Sequence, residues 1–150
     1  MAATRTATVT WTGTLAEGSG TVTAASSELF TDLPVSWASR IDEVDGRTSP
    51  EELLAAAHAS CFAMALSGGL AKAGTPPDHV HVSATVTFAQ VGEAWTVTRS
   101  ELDVVGTVPG LDEAGFDAAA QTAKDGCPIS RALAGNVEIS VHSTVEAPHD

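Results

Sequence analysis

Basic side chains are scarce in this chain of 150 residues, which has 7 lysines and arginines against 19 aspartates and glutamates. The formal net charge is therefore −12 at pH 7. A surface of this sign repels phosphate backbones and anionic lipid headgroups. We therefore expect neither nucleic acid nor a membrane as a partner, and uncharged small molecules or basic surfaces fit better.

The chain also lacks the motifs that hold common cofactors. It has no GxGxxG, no P-loop and no clustered metal ligands, so we predict neither a cofactor nor a metal. Two cysteines without a CxxC pair cannot form a zinc site by themselves. His79 and His81 share one strand face, but with no third ligand apparent they are more simply a surface pair.

A secretory leader is not visible either. The first twelve residues alternate threonine with apolar residues and show no basic segment, apolar core or cleavage site. We expect a cytoplasmic protein, in which two cysteines are more often redox-active or reduced than permanently joined. The length and the 43% hydrophobic content predict a single globular domain, 1–150.

Alternating apolar and polar residues predict the strands. Apolar residues alternate with threonine over 7–15, Glu17–Gly20 has turn chemistry, and 21–25 returns to complete a hairpin. Comparable patterns predict a third strand over 35–41 and a last strand over 137–145. They also predict a second hairpin, whose two strands are 80–88 and 95–105.

The strongest helix signal begins at Ser49-Pro50-Glu51-Glu52, with a serine N-cap, a proline at the first helical position and a glutamate closing a capping box. This helix is predicted to reach residue 72 or 73, where Gly74 ends it. Its apolar length raises the question of a membrane span. Its small-residue content and its place between water-soluble strands favour a central core helix instead.

A second helix is predicted over 113–124, capped by Asp112 and stopped by Gly126, and a short helical turn follows Cys127-Pro128 as far as Leu133. The element order is then β-β-β-α-β-β-α-β, with antiparallel hairpins and no βαβ repeat. This order predicts an α+β fold built from antiparallel sheets.

Cys61 lies inside the first predicted helix, and it is either inert packing or a tuned nucleophile. It follows the helix start by about eleven residues, beyond the reach of the helix dipole. A reactive thiolate at this position therefore needs a nearby cation, for which Arg40 and Arg47 are the upstream candidates.

Two segments carry a distinctive pattern: Thr48–Leu66, which contains His58-Ala59-Ser60-Cys61-Phe62, and Gly126-Cys127-Pro128-Ile129-Ser130. Together they closely resemble the osmotically inducible protein C and organic hydroperoxide resistance family, in its osmotically inducible branch. The resemblance covers nearly the whole chain. It implies an intertwined homodimer in which antiparallel sheets wrap around long central helices.

The resemblance also implies a thiol-dependent peroxidase that answers oxidative or osmotic stress. It would reduce organic hydroperoxides, and hydrogen peroxide less well, with Cys61 as the peroxidatic and Cys127 as the resolving cysteine. Arg40 would stabilise the thiolate and Glu51 would orient it. The resulting Cys61–Cys127 disulfide would be reduced by a lipoylated protein or a small dithiol.

Two departures from the family pattern keep alternatives open. The segment from Arg40 to Glu51 is one residue longer than the pattern, and Ser49 stands where asparagine is common, so Arg47 remains a rival to Arg40. Without the resemblance, Glu51 is most simply a helix-dipole residue of the first turn. His58 is more simply a hydrogen-bonded core histidine than a base.

The spacing of Glu51 and Cys61 carries a quaternary inference. They are ten residues apart, about 15 Å along one helix, and can hardly share a compact site within it. Two copies of the helix that cross antiparallel would bring Glu51 of one near Cys61 of the other. We therefore hypothesise a homodimer whose sites combine residues of both chains.

Two other functions use the same residues. The first is a redox sensor or thiol-disulfide binding module that does not turn over efficiently. The second is a structural domain with two inert cysteines, which predicts slow alkylation of Cys61 at neutral pH.

Overall fold

The structure is a computed structural model, and it describes residues 1–148. Within them the elements follow the order β-β-β-α-α-β-β-α-α-β. They are β1 (Thr8–Thr12), β2 (Ser19–Thr23), β3 (Leu33–Val35), α1 (Ala38–Ile41), α2 (Pro50–Lys72), β4 (His79–Val91), β5 (Ala94–Thr107), α3 (Glu113–Gly126), α4 (Pro128–Leu133) and β6 (Glu138–Glu146).

The chain divides into two compact units, Met1–Leu53 and Leu54–Asp150. Each unit contains one three-stranded sheet, ordered β1-β2-β3 in the first and β4-β5-β6 in the second. The mixed helix and sheet content confirms the α+β fold class. That the whole chain acts as one domain stays a prediction.

The predicted N-terminal hairpin is confirmed, although its second strand begins earlier than expected. β1 and β2 pair antiparallel from Thr8 with Thr23 to Thr12 with Ser19. The turn between them closes where the Gly18 N–H donates to the Thr14 carbonyl oxygen at 2.8 Å, which returns the chain sooner than the pattern indicated. In the single chain all five residues of β1 are exposed.

The prediction of a strand over 35–41 is wrong for most of that segment. β3 ends at Val35, and Ala38–Ile41 forms the short helix α1. Ser36 and Ser39 each accept a hydrogen bond from the other's backbone N–H, both at 3.1 Å. These reciprocal bonds replace strand pairing and turn the chain into a helix.

At the start of α2, one of the two hydrogen bonds of the predicted capping box is present. Ser49 Oγ accepts a hydrogen bond from the Glu52 N–H at 3.1 Å, as expected. The Glu52 carboxylate does not return to Ser49, because it accepts from the Thr48 hydroxyl at 2.7 Å. At the other end Gly74 adopts a φ of 89°, and the Thr75 N–H donates to the Leu70 carbonyl at 3.0 Å, which confirms the predicted terminator.

The second sheet contains one pairing that the sequence pattern did not predict. β4 and β5 form the expected antiparallel hairpin, but β6 runs parallel to β5, from Arg99 with Glu138 to Thr107 with Glu146. Parallel neighbours need a long crossover connection, and α3 and α4 provide it. The sheets are therefore not all antiparallel.

The core of the second unit lies between α2, α3 and β5. α2 contributes one residue per turn, Phe62, Leu66 and Leu70, and all three are almost completely buried. α3 and β5 contribute the remaining large members, among them Phe116, Leu102 and Val104. The Asp112 side chain caps α3 as predicted, accepting from the Gly115 N–H at 2.8 Å.

By length and composition α2 could cross a membrane, since its most apolar stretch has a mean hydropathy of 1.5. Core helices of soluble proteins have the same properties. Phe62, Leu66 and Leu70 of α2 belong to the buried core, which favours the core-helix interpretation. Its opposite side includes Met64, which is 74% exposed in the single chain.

Gly106 on β5 provides a test of this packing. A Cβ at position 106 would lie 2.5 Å from Cζ of Phe116, whose ring is completely buried. We predict that Gly106→Ala lowers the free energy of unfolding by about 1–3 kcal/mol, because the ring or the strand must move. Urea denaturation measures this.

Gly126→Ala is the matched control, since a Cβ at position 126 meets nothing within 4 Å. It should leave the denaturation midpoint nearly unchanged. If both substitutions change the free energy of unfolding equally, the contact with Phe116 is not the reason that an added Cβ at position 106 is unfavourable.

Candidate functional site

Arg40 and Glu51, two residues singled out from the sequence, lie together in the first unit. Arg40 is in α1 and Glu51 is in the first turn of α2. The Ser39 hydroxyl donates to the Thr48 carbonyl at 2.8 Å, which fastens α1 to the segment that precedes α2. This short-range bond explains why two residues eleven positions apart meet.

The contact between them is a bidentate ion pair. Arg40 Nε donates to both Glu51 carboxylate oxygens at 3.2 and 3.1 Å, and Arg40 Nη2 donates to Oε1 at 2.6 Å. The Glu51 side chain is only 9% exposed and that of Arg40 is 27% exposed. A fork-to-fork pair fixes the orientation of a guanidinium as well as its position. The guanidinium also lies 5.6 Å from the centre of the Trp37 ring.

Arg47, the rival cation, has a different environment. Its guanidinium contacts Asp45 at 3.3 Å, and the two side chains are 43% and 84% exposed. Exposed ion pairs of this kind hold their side chains loosely. Of the two candidates, Arg40 is the one whose guanidinium is oriented.

A cavity of about 400 Å³ lies beside Arg40 in the first unit. Its wall is mainly apolar and includes Val9, Trp11, Leu15, Val22, Val35 and Trp37. Val9 and Leu15 are each 60% exposed in the single chain, so this wall is open to water. The arrangement places an oriented guanidinium at the edge of an apolar space.

The two cysteines meet in the second unit. Cys61 lies on α2 and is half-buried, while Cys127 is completely buried where α3 ends and α4 begins. Both are free thiols, and they lie near enough for each to act on the pKa of the other. Neighbouring thiols can be converted to a disulfide when the geometry of the two side chains allows it.

The surroundings shift the pKa values of the two thiols in opposite directions. Burial raises the pKa of the Cys61 thiol, and so do its hydrogen bond to Cys127 and the charge of Cys127, while the Ile129 N–H acts in the opposite direction. No cation is among these groups. The cation that the sequence analysis required at Cys61 is therefore not supplied by the groups that act on this thiol within the described part of one chain.

The polar groups around Cys127 lower the pKa of its thiol. Burial alone would raise the pKa of its thiol, but the backbone N–H of Ser130, the thiol of Cys61, the hydroxyl of Ser130 and the N–H of Ile129 together lower it. No conventional cap bond forms at Cys127, and these polar groups still act on its sulfur. In the single chain the surroundings thus lower the pKa of Cys127 and raise that of Cys61.

Next to the thiols, His58 forms a buried polar network that the sequence analysis did not foresee in full. Its Nδ1 is 2.7 Å from Ser100 Oγ and its Nε2 is 2.7 Å from Ser130 Oγ. His58 and Ser100 are completely buried, and Ser130 is 3% exposed. A hydrogen-bonded core histidine was expected, but its serine partners lie on β5 and α4 and have no local sequence signal.

Within 1–148 no group of three or more histidine, cysteine, aspartate or glutamate side chains has the arrangement of a metal site. His79 and His81 face the same side of β4 and both are exposed.

Known proteins share the sequence pattern and the fold of this chain. The family model of OsmC-like proteins matches residues 43–142, which is well over half of the chain. The chain belongs to the OsmC-like family.

Peroxiredoxin OsmC of Escherichia coli K12 is 38% identical to this OsmC-like chain over 129 residues, covering 86% of the chain and 89% of that protein. The organic hydroperoxide resistance protein of Xanthomonas axonopodis pv. citri is 29% identical over 120 residues, covering 79% and 82%. A solved structure of an organic hydroperoxide resistance protein OsmC from Legionella pneumophila superposes with a TM-score of 0.72 at 23% identity, covering 96% of the chain and 100% of that structure. At this identity the last likeness concerns the fold.

The buried imidazole predicts a pH dependence of stability. Burial lowers the pKa of His58 below its ordinary value of 6.5, so the unfolded chain binds a proton that the folded chain does not. The free energy of unfolding should therefore fall as the pH drops below about 6.5, and the loss should continue until His58 is protonated in the fold.

The measurement is the free energy of unfolding from urea denaturation at a series of pH values, in the wild type and in His58→Gln. Glutamine has no proton to gain in this pH range. The difference in the free energy of unfolding between the wild type and His58→Gln should therefore become smaller as the pH falls. Parallel curves would contradict a buried neutral imidazole.

Proposed function

We propose that this protein is a thiol-dependent peroxidase that reduces organic hydroperoxides, and hydrogen peroxide less well. The observation that carries the proposal is the proximity of the two free thiols, Cys61 and Cys127, in an OsmC-like fold. The relatives named peroxiredoxin OsmC and organic hydroperoxide resistance protein support the same reaction class. A cytoplasmic location and a role in oxidative or osmotic stress belong to the proposal.

In the first step the Cys61 thiolate attacks one oxygen of the hydroperoxide. A sulfur–oxygen bond forms, the O–O bond breaks, and the alkoxide leaves and takes a proton to become an alcohol. Cys61 is then a sulfenic acid. An apolar cavity with an oriented guanidinium at its edge suits this step, since it accommodates an organic group and stabilises the negative charge of the leaving oxygen.

In the second step the Cys127 thiolate attacks the sulfur of the sulfenic acid. The S–S bond forms, the S–O bond of Cys61 breaks, and hydroxide leaves to become water. The proximity of the thiols supports this pairing. An external dithiol then returns both cysteines to thiols and is itself oxidised to a disulfide. A lipoylated protein or a small dithiol fits this requirement.

Activation of Cys61 is the step that calls for a second copy of the chain. The groups that act on the Cys61 thiol within one chain raise its pKa overall. Glu51 precedes Cys61 by ten residues, about 15 Å along α2. We therefore propose a homodimer in which Arg40, held by Glu51 of the same chain, serves the Cys61 thiolate of the partner.

Exposed apolar side chains support such a dimer. Val9 and Leu15 are each 60% exposed and Met64 is 74% exposed in the single chain. Large apolar side chains gain free energy when a partner removes them from water. The sheet of the first unit and the open side of α2 are thus suited to an interface.

A second candidate function is a redox sensor that forms the same disulfide without efficient turnover. The raised pKa of Cys61 in the single chain favours it, since a protonated thiol reacts slowly with peroxides. Stopped-flow consumption of cumene hydroperoxide in the presence of a dithiol separates the two functions. If Cys61 reacts with cumene hydroperoxide no faster than a free thiol does, the redox-sensor function is favoured.

The roles of the two cysteines give different kinetics. With a dithiol present, Cys61→Ser should abolish consumption of cumene hydroperoxide, because it removes the attacking sulfur. Cys127→Ser should consume rapidly about one hydroperoxide per chain and then slow, because Cys61 is oxidised but cannot form the intramolecular disulfide. Single-turnover stopped flow measures both. A Cys61→Ser chain that keeps its activity would refute the assignment.

Heterodimers test the shared site. Cys61→Ser and Glu51→Ala chains should each be impaired alone, and mixed dimers should recover activity, because one site then receives Cys61 and an intact Arg40–Glu51 pair from different chains. Dithiol-dependent hydroperoxide consumption after co-refolding is the measurement.

The matched control mixes Arg40→Ala with Glu51→Ala. Since Arg40 and Glu51 pair within one chain, neither site of this heterodimer receives an intact pair, and activity should stay low. Equal recovery in both mixtures, or recovery in neither, would contradict the arrangement.

A further inference from the structure

The network around His58 connects to the thiols at one point, Ser130. Ser130 lies on α4, three residues after Cys127, and its Oγ is 2.7 Å from Nε2 of His58. Its hydroxyl and its backbone N–H both act on the sulfur of Cys127. The hydroxyl therefore stands between the imidazole and the resolving thiol.

The imidazole is an unexpected group at this position. It occupies the turn of α2 before Phe62, on the side that places Phe62, Leu66 and Leu70 in the core. Burial of a polar ring is unfavourable unless its nitrogens are hydrogen-bonded, and an aliphatic residue would avoid that requirement. Both ring nitrogens have a serine hydroxyl at 2.7 Å, so the site is built to keep this ring in one orientation.

A neutral imidazole has one N–H donor and one acceptor nitrogen, and this couples the two serines. When the Ser100 hydroxyl donates to Nδ1, the Nε2–H donates to Ser130 Oγ. The Ser130 hydroxyl is then free to donate to the Cys127 sulfur. In the other tautomer the Ser130 hydroxyl donates to Nε2 and is lost to Cys127. A thiolate at Cys127 selects the first tautomer, because it requires a donor.

We propose that His58 is a positioning residue for the resolving thiol: through Ser130 it directs a hydroxyl hydrogen bond at the sulfur of Cys127 and speeds the attack of that sulfur on oxidised Cys61. This inference rests on the proposed peroxidase function. In the step concerned, the Cys127 thiolate forms the S–S bond, the S–O bond of Cys61 breaks, and hydroxide departs as water after taking a proton. In the tautomer concerned, the Ser100 hydroxyl donates to Nδ1 of His58.

The first test is single-turnover stopped flow with cumene hydroperoxide on the reduced, full-length protein. The rate of disulfide closure is compared with the rate of Cys61 oxidation in the same samples. Asparagine places its amide near the Nδ1 position and glutamine near the Nε2 position. We expect His58→Asn and Ser130→Ala to slow disulfide closure about tenfold relative to Cys61 oxidation, the effect of losing one charge-assisted hydrogen bond.

Conservative variants separate positioning from general damage. His58→Gln and Ser130→Thr should restore most of the closure rate, because each keeps a polar group at the Ser130 contact. Ser143→Ala is the matched control, since Ser143 is a buried serine that bonds Asp117 at 2.9 Å and lies outside the network. Closure at the wild-type rate in His58→Asn or in Ser130→Ala would overturn the proposal. If His58→Asn does not fold, the Ser130→Ala and Ser130→Thr pair decides the question.

The second test does not depend on peroxide chemistry. In a Cys61→Ser background Cys127 is the single remaining cysteine of the chain, so thiolate ultraviolet absorbance against pH reports its ionisation alone. Adding His58→Asn or Ser130→Ala should raise the pKa of Cys127, and Ser130→Thr should not. An unmoved titration overturns the proposal, whereas failure of the wild type to consume hydroperoxide would overturn only the proposed function.

Discussion

The proximity of the Cys61 and Cys127 thiols is the constraint on which the proposed chemistry of this fold depends. α2 carries one sulfur, and the junction of α3 and α4 carries the other. The core residues Phe62 and Phe116, completely buried on these helices, keep the two segments in place. In the proposed reaction, oxidation and disulfide closure both take place between these two segments.

The oriented cation of this chain belongs to the first unit, whereas the two thiols belong to the second. Arg40 is held by two oxygens of Glu51 in the first unit, and this geometry orients the guanidinium while partly neutralising it. An oriented cation loses less entropy when it meets an anion than a mobile one such as Arg47. The separate location of the thiols and the oriented cation along the chain is the physical argument behind the proposed homodimer.

Local patterns predicted most of the elements, and the non-local features escaped them. The caps at Ser49 and Asp112 and the terminator at Gly74 depend on a few neighbouring residues, so their sequence signals were reliable. The parallel pairing of β5 with β6 joins segments 39 positions apart, and no periodicity encodes such a pairing. Among the candidate functional residues, motif resemblance singled out Cys61, Cys127, Arg40 and Glu51, and their roles stay predictions. The role of single serines such as Ser100 and Ser130 cannot be read without the fold, because serine is common and carries no spacing of its own.

The reach of the His58 network along the chain has a consequence for biosynthesis. Its hydrogen bonds join residues 42 and 72 positions apart, on α2, β5 and α4. Contacts of such long sequence separation form late, after the intervening segments have found their places. A nascent chain therefore cannot bring its two cysteines together until the segment that carries Cys127 has been synthesised.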